Sequence, residues 1–388
     1  MTYFWLISGV LLALVWLDRL RDAIRGGRAM PDLSLPTWDR PAAGLPRLTI
    51  VVPARNEGEH VERALRSMLA LDYNALEVIA VDDRSSDDTG AVLDRMAGEY
   101  KRGPALRVLH IAELPAGWLG KPHAMWKAGQ QATGDWILFT DADVCFRADA
   151  LRRAVAYAEA TGADHLVVFP SHILRTPGER MMMAVFALLF VFGHRPWKID
   201  DPDAKDYLGF GPFNLIRRNV YEQIGTARAL RLEVIEDMKL GKLVKEHGFI
   251  QRAAYGTGLI PWRWFNGTFG MVRVLKKNIF ASMNYRWSKA IGASALLGFL
   301  TLVPFLAIFL APGWTKLGHL LALAAIFGLY VGLSRRSAIS PLYFFLHPLS
   351  TCLIIYAMTV SMAHTIRHGG VVWRGTLYSL NELRKGLV

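Results

Sequence analysis

The sequence predicts an α/β domain with a mostly parallel sheet, carried on a chain that has apolar membrane segments at both ends. Three observations lead there. Between Leu48 and Tyr255, short apolar runs alternate with runs of helical period. Tyr3 to Leu17 and three stretches beyond Ala290 are apolar with no polar face. The chain has 388 residues, 52% hydrophobic and 20% charged, which is room for one sizeable domain plus several membrane helices and is unlike a disordered chain.

The elements follow in order. Tyr3 to Leu17 is succeeded by Arg19, Arg21, Arg25 and Arg28. A cleaved leader places its charge before the apolar run, so residues 1–28 read as an uncleaved anchor, extended by Leu20 and Ile24 with snorkelling arginines. The positive-inside rule then puts the following chain in the cytoplasm. Residues 29–46, rich in Pro, Gly and Asp, read as a linker. In 47–265, Leu48–Val52, Glu77–Val81, Leu106–Ile111, Trp136–Thr140 and His165–Phe169 are predicted strands. Val61–Leu71, Thr89–Tyr100, His123–Gln131, Asp149–Ala160 and a segment running to His247 are predicted helices. Residues 266–289 mix apolar side chains with Arg273, Lys276, Lys277, Arg286 and Lys289, the pattern of an amphipathic helix on an anionic membrane surface. In 290–388, Ala290–Ala311, Leu317–Leu333 and Pro341–Ala363 are membrane segments, and Pro348 is a candidate break making the last a re-entrant hairpin. Cys145 and Cys352 are too far apart in kind and place for a redox or metal motif and read as buried thiols. The formal charge of +12 lies largely beside membrane segments, which favours anionic lipid over nucleic acid.

The chemistry gathers at strand ends, where open α/β sheets bind ligands. The first strand ends in Pro53-Ala54-Arg55-Asn56-Glu57 and the second in Asp82-Asp83, whose carboxylates can accept from ribose hydroxyls or a base N–H. The fourth is followed by Asp141-Ala142-Asp143. In extended chain, residues two apart point the same way, and two such carboxylates repel unless a cation lies near; Mg2+ or Mn2+ suits oxygen ligands completed by water and phosphate. Gly117-Trp118-Leu119-Gly120-Lys121 offers backbone and a point charge to a phosphate without being a Walker motif. Glu236-Asp237 opens a helix, where the dipole favours an ionised carboxylate able to take a hydroxyl proton.

In this order and at these separations, the Pro53–Glu57, Asp82-Asp83, Asp141-Ala-Asp143 and Glu236-Asp237 motifs resemble the inverting family 2 glycosyltransferases, over roughly Leu48 to Trp287. Gly209–Gly225 is similar to that family's loop and Arg-Arg helix. The Gly-Trp-x-Gly-Lys loop, Lys277-Asn278-x-Phe280-Ala281 and Trp373-Arg374-Gly375-Thr376-x-Tyr378 are most similar to bacterial enzymes of hopanoid or carotenoid glycosylation. The resemblance implies a GT-A fold. It implies a nucleotide-sugar pocket of Pro53, Ala54, Arg55, Glu57, Asp82, Asp83, Lys121 and Asp141, a divalent cation on Asp143 with Asp141, and catalysis by Asp237 with Glu236. Arg286-Trp287 resembles an acceptor-side pair, but Met283 stands where related enzymes carry Gln or Arg.

The expectation is therefore a multi-pass inner-membrane enzyme with a cytoplasmic catalytic domain. It moves a sugar from a nucleotide-diphosphate donor to a lipophilic acceptor. A polysaccharide synthase and an inactive nucleotide-binding scaffold are the alternatives.

Overall fold

The computed structural model describes residues 1–42, 44–100 and 105–388; Ala43, in the predicted linker, lies outside the described residues. The chain forms two compact units. One comprises Met30–Ile173, Pro196–Trp262 and Val372–Val388, the other Met1–Ala29, Leu174–Arg195 and Arg263–Val371.

The first unit is the α/β domain. Its strands are β1 (Leu48–Ala54), β2 (Leu76–Asp83), β3 (Ala105–Ile111), β4 (Trp136–Phe139), β5 (His165–Phe169), β6 (Ser171–His172), β7 (Asn214–Arg217), β8 (Gln251–Tyr255) and β9 (Pro261–Trp262). Seven of them form a sheet in the order β3-β2-β1-β4-β7-β5-β8, while β6 pairs with β9. Strand β7 is antiparallel to both its neighbours and the other pairings are parallel. The continuous apolar runs of β1 and β4 are buried on both faces, as parallel strands under helices must be. Pro53 fits in β1 because pairing with β4 has already ended at Val51. Helix Gly58–Leu69 buries Val61, Leu65, Met68 and Leu69, the face its sequence period marked out.

Residues 30–42 pack onto this unit. Leu33 is fully buried, and Arg153 Nη1 donates to the carbonyls of Leu33 and Leu35 at 3.1 and 2.9 Å. The chain ends in a hairpin of β10 (Gly370–Trp373) and β11 (Thr376–Ser379), then the short helix Leu380–Lys385.

The other unit is helical. Three of its helical segments are long and apolar enough to cross a membrane: Thr2–Ala29, Gly313–Ser334 and Pro341–Arg367. The pair Trp287–Thr301 and Val303–Leu310, bent by 48°, makes a fourth if it is one span. The N-terminal helix and Lys316–Ser334 approach closely. A Cβ on Gly318 would sit 2.4 Å from the Gly9 carbonyl carbon, so only glycine permits the contact. Trp16, 1% exposed, donates its indole N–H to the Leu300 carbonyl at 2.9 Å. Outward faces carry exposed Ile7, Leu14, Leu317, Leu321, Phe345 and Leu349, a surface that lipid solvates and water does not.

The structure departs from the sequence reading at three points. Pro348 does not break the last segment: it lies in the first turn of His347–Arg367, where a proline costs no hydrogen bond, and the helix runs on for 21 residues. The bend falls instead in Ala290–Ala311, where Pro304 opens the second half. The predicted amphipathic run is two helices, Thr268–Ser282 and Trp287–Thr301, parted at Asn284 and Tyr285, both left-handed with φ of 54° and 55°. Neither cysteine is fully buried, and Cys352 is exposed on an apolar helix.

Candidate active site

Parallel β1, β2 and β4 deliver their carboxyl ends to one edge of the sheet. Strand order runs outward from β1 in both directions, so the crevice between β1 and β4 is the switch point at which such sheets bind ligands. Glu57 leaves β1 there, and Asp141 and Asp143 leave β4. Antiparallel β7 starts beside Phe139 at the same edge and so brings in the loop before it, Gly209–Phe213.

That loop gathers the acids. The Gly211 N–H donates to Asp237 Oδ2 at 2.9 Å, and a Cβ on Gly211 would lie 2.5 Å from Asp141 Oδ2. A Cβ on Gly209 would lie 1.7 Å from the Asp237 carbonyl oxygen, so the backbone of the Glu236–Glu246 helix rests directly on the loop. Beneath it, Gln251 Nε2 donates to His165 Nδ1 at 2.8 Å, which leaves the proton on Nε2 to donate to Asn214 Oδ1 at 3.1 Å. Burial holds His165 down to about 4, hence neutral. Asn214 Oδ1 also accepts from the Phe210 N–H at 3.2 Å, and Gln251 Oε1 from the Leu208 N–H at 2.8 Å. A buried, satisfied network therefore fixes the loop that fixes Asp237.

Lys121 lies between acids, its Nζ 2.6 Å from both Asp141 Oδ1 and Glu236 Oε1. Burial alone would lower this ammonium, but Asp141, Glu236 and Asp237 outweigh it and raise it well above the ordinary lysine value. Asp237 is pushed upward by burial and by Glu236, against the pull of Lys121. Asp143 is pushed up to about 6 by burial and then by Asp141 and Glu57, although Trp262 Nε1 donates to its Oδ1 at 3.2 Å. Glu57 is raised by burial even with Arg374 beside it. Asp141 thus acts on Glu57, Asp143 and Asp237, and Glu236 acts on Asp237, with Lys121 between Asp141 and Glu236.

This donor set fits a divalent cation: hard oxygens, like charge held close, and a carboxyl that is costly to ionise without a counter-charge. Among the described residues, no group of three or more His, Cys, Asp and Glu side chains is arranged to hold an ion. Asp143 with Asp141 would supply the protein ligands, leaving the rest to water and phosphate.

Of the remaining expected residues, Asp83 is buried beside the lysine loop. Its oxygens accept from Arg84 Nε and Nη2 at 2.8 and 3.0 Å, Arg55 is 4.0 Å away, and a Cβ on Gly120 would fall 2.2 Å from its Oδ2. Pro53 and Ala54 complete the end of β1. Asp82 turns to the opposite face, where its Oδ2 is 3.2 Å from His110 Nδ1, because neighbours in a strand alternate. Glu236, grouped with Asp237 as catalytic, is buried and ion-paired to Lys121. Arg286 and Trp287 belong to the helical unit, exposed at the break between two of its helices.

Trp262, Gly209, Gly211 and the Gln251–His165–Asn214 network join the site without being marked by any of the acidic sequence motifs. Only the glycine-rich pattern Gly209-Phe-Gly211 gave any signal, since two glycines beside a strand mark close backbone approach.

Residues 49–237 match the family profile described as Glycosyl transferase family 2. The chain is similar to 4,4'-diaponeurosporenoate glycosyltransferases of Staphylococcus aureus. It is 26% identical to one over 353 residues and 27% identical to another over 354, in each case covering 86% of this chain and 89% of the relative. Among solved structures it is similar to the mannosyltransferase PcManGT from Pyrobaculum calidifontis in complex with GDP-Man and Mn2+, with a TM-score of 0.54 and 21% identity, over 93% of this chain and 98% of that one. At that identity the likeness speaks for the fold. The matched segment opens in β1 and closes on Asp237, so it holds every carboxylate of the cluster: residues 49–237 are a family 2 glycosyltransferase domain, on a GT-A fold.

Proposed function

We propose that this glycosyltransferase moves a sugar, with inversion, from a nucleotide-diphosphate donor to a lipophilic acceptor at the cytoplasmic membrane face, using Mg2+ or Mn2+. One observation carries the proposal: Asp141, Asp143, Lys121 and Asp237 converge on the switch-point crevice around Gly211. Arg55, Asp83 and Glu57 line the nucleotide side. The cation, held by Asp143 with Asp141, would offset the charge developing on the departing diphosphate. Lys121 pairs with Asp141 and Glu236 and holds them in place. Asp237, fixed by Gly211, takes the proton of an acceptor hydroxyl as its oxygen attacks the anomeric carbon.

The acceptor is lipophilic because the relatives' acceptor, by name, is diaponeurosporenoate and because apolar helices anchor this chain beside lipid. The cytoplasmic side follows from Arg19, Arg21, Arg25 and Arg28 after the first apolar run. Arg273, Lys276 and Lys277 on helix Thr268–Ser282 suit an anionic membrane surface.

The test is a panel of nucleotide sugars given to the purified full chain with Mn2+ and native lipid extract, read by mass spectrometry of the lipids. A glycosylated lipid is the expected product; consumption of no nucleotide sugar sinks the proposal. The relatives' acceptor is named as an acid anion, which has no proton to surrender. Asp237→Asn therefore separates two acceptor classes. It should cost orders of magnitude in rate on a hydroxyl acceptor and far less on a carboxylate, with nucleotide binding retained in both cases.

A further inference from the structure

The C-terminal hairpin reaches residues that the donor reading places in the nucleotide pocket. Its turn holds Arg374 in the left-handed region, φ 48°, ahead of Gly375 at 78°. Arg374 Nη2 is ion-paired with Glu57, and its Nη1 donates to the Asn56 carbonyl at 3.3 Å. On β11, the buried Tyr378 accepts at its hydroxyl from the Gly120 N–H at 3.4 Å and hydrogen-bonds Arg84, the residue that forks onto Asp83. The hairpin is thus tied to the end of β1 through Arg374, and through Tyr378 to the end of β2 and the start of the lysine-bearing helix.

A purely structural tie would not need a guanidinium here. The Arg374 side chain remains 42% exposed, while Glu57 is 18% exposed and lies within the field of Asp141 and Asp143. Arginine carries five N–H donors in a rigid fork, and two of its nitrogens serve Glu57 and Asn56. The remaining donors sit at the rim of a crevice whose other charges are mainly carboxylates. An incoming diphosphate has to meet cationic groups there, and a planar fork already oriented by a carboxylate is well suited to phosphate oxygens.

We propose that Arg374 binds the diphosphate of the nucleotide donor, with Glu57 orienting its guanidinium and Tyr378 holding the hairpin against the pocket. This rests on the donor reading above. Arg374 makes and breaks no bond. As the bond from the anomeric carbon to the phosphate oxygen breaks, its electron pair stays on that oxygen, and Arg374 meets the charge that results.

The test uses the full chain in detergent with Mn2+, titrated with UDP, GDP and dTDP, and with the monophosphate of whichever binds. Arg374→Ala should weaken the diphosphate roughly 10- to 100-fold, the worth of a charge-assisted hydrogen bond, and the monophosphate much less. Arg374→Lys should recover part of the loss, and Tyr378→Phe should weaken the diphosphate in the same direction by less. Melting without nucleotide reports the fold of each variant. Equal diphosphate binding by wild type and Arg374→Ala overturns this inference alone. So does an equal loss for diphosphate and monophosphate together with a lowered melting temperature, which would make Arg374 a structural strut. A wild-type protein that binds no nucleotide overturns the donor reading and this inference with it.

Discussion

Replacing Asp143 with Asn should stabilise the metal-free protein while abolishing turnover. Asp143 ionises at an ordinary value of 3.8 when unfolded and at about 6 in the fold, because burial and then Asp141 and Glu57 oppose its charge. Between those values the folded state keeps a proton that the unfolded chain has released, so stability falls as pH rises through the window and the penalty is complete above about 6. At 1.36 kcal/mol per pH unit this is about 3 kcal/mol. Asparagine keeps an oxygen to accept from Trp262 and carries no charge, so it removes the penalty at little other cost. For a domain of this size, about 2–4 °C of melting temperature per kcal/mol gives a rise of roughly 6–12 °C. The assay is melting of both proteins in detergent with a chelator, from pH 4 to 8. The gap should open between pH 4 and 6 and stay level above. Saturating Mn2+ should narrow it, since ligand at a hundred times its Kd stabilises only the wild type, by about 2.7 kcal/mol. A variant melting at or below the wild type at pH 7 in chelator would refute the account of a carboxylate cluster waiting for a cation.

Two further outcomes test the frame of the site and of the helical unit. Gly209→Ala should displace the helix that begins at Glu236, since its Cβ would meet the Asp237 carbonyl oxygen at 1.7 Å; kcat should fall at least tenfold while nucleoside diphosphate affinity, by titration, changes little. Glu179→Ala should destabilise the helical unit by about 3 kcal/mol or more, seen as a lower melting temperature, because it strips partners from Arg263, from the Gly267 N–H at 2.8 Å and from the Arg175 and Thr176 N–H groups. Burial would raise Glu179, but those bonds hold it at about 2, so its contribution is present above the unfolded glutamate value and is lost only as pH falls through about 2.

What could be read from the sequence follows from how locally each feature is determined. The ends of β1, β2 and β4 were visible because a buried parallel strand is a continuous apolar run, and a carboxylate that stops it has to lie at the edge. The membrane helices were visible for the same reason. Asp82 and Asp83 looked alike in sequence but parted in the fold, since strand alternation sends only one of them to the Arg55 and Arg84 side. Trp262 and the Gln251–His165–Asn214 network could not be read, because they depend on which strands become neighbours. Once antiparallel β7 enters between β4 and β5, Asn214 comes into reach of His165.

A cluster so costly to assemble is built from rigid parts. Like-charged groups close together move apart if their supports yield. Here Asp237 hangs from a glycine loop with no room for a side chain, and that loop is pinned by a neutral histidine and two amides buried below it. Lys121 pairs with Asp141 and Glu236, while Asp143 accepts from the Trp262 indole N–H and from its own backbone N–H. On the proposed function, electrostatic relief for Asp143 would come with a cation carrying phosphates, and the binding of donor and metal would then be coupled to the stability of the fold.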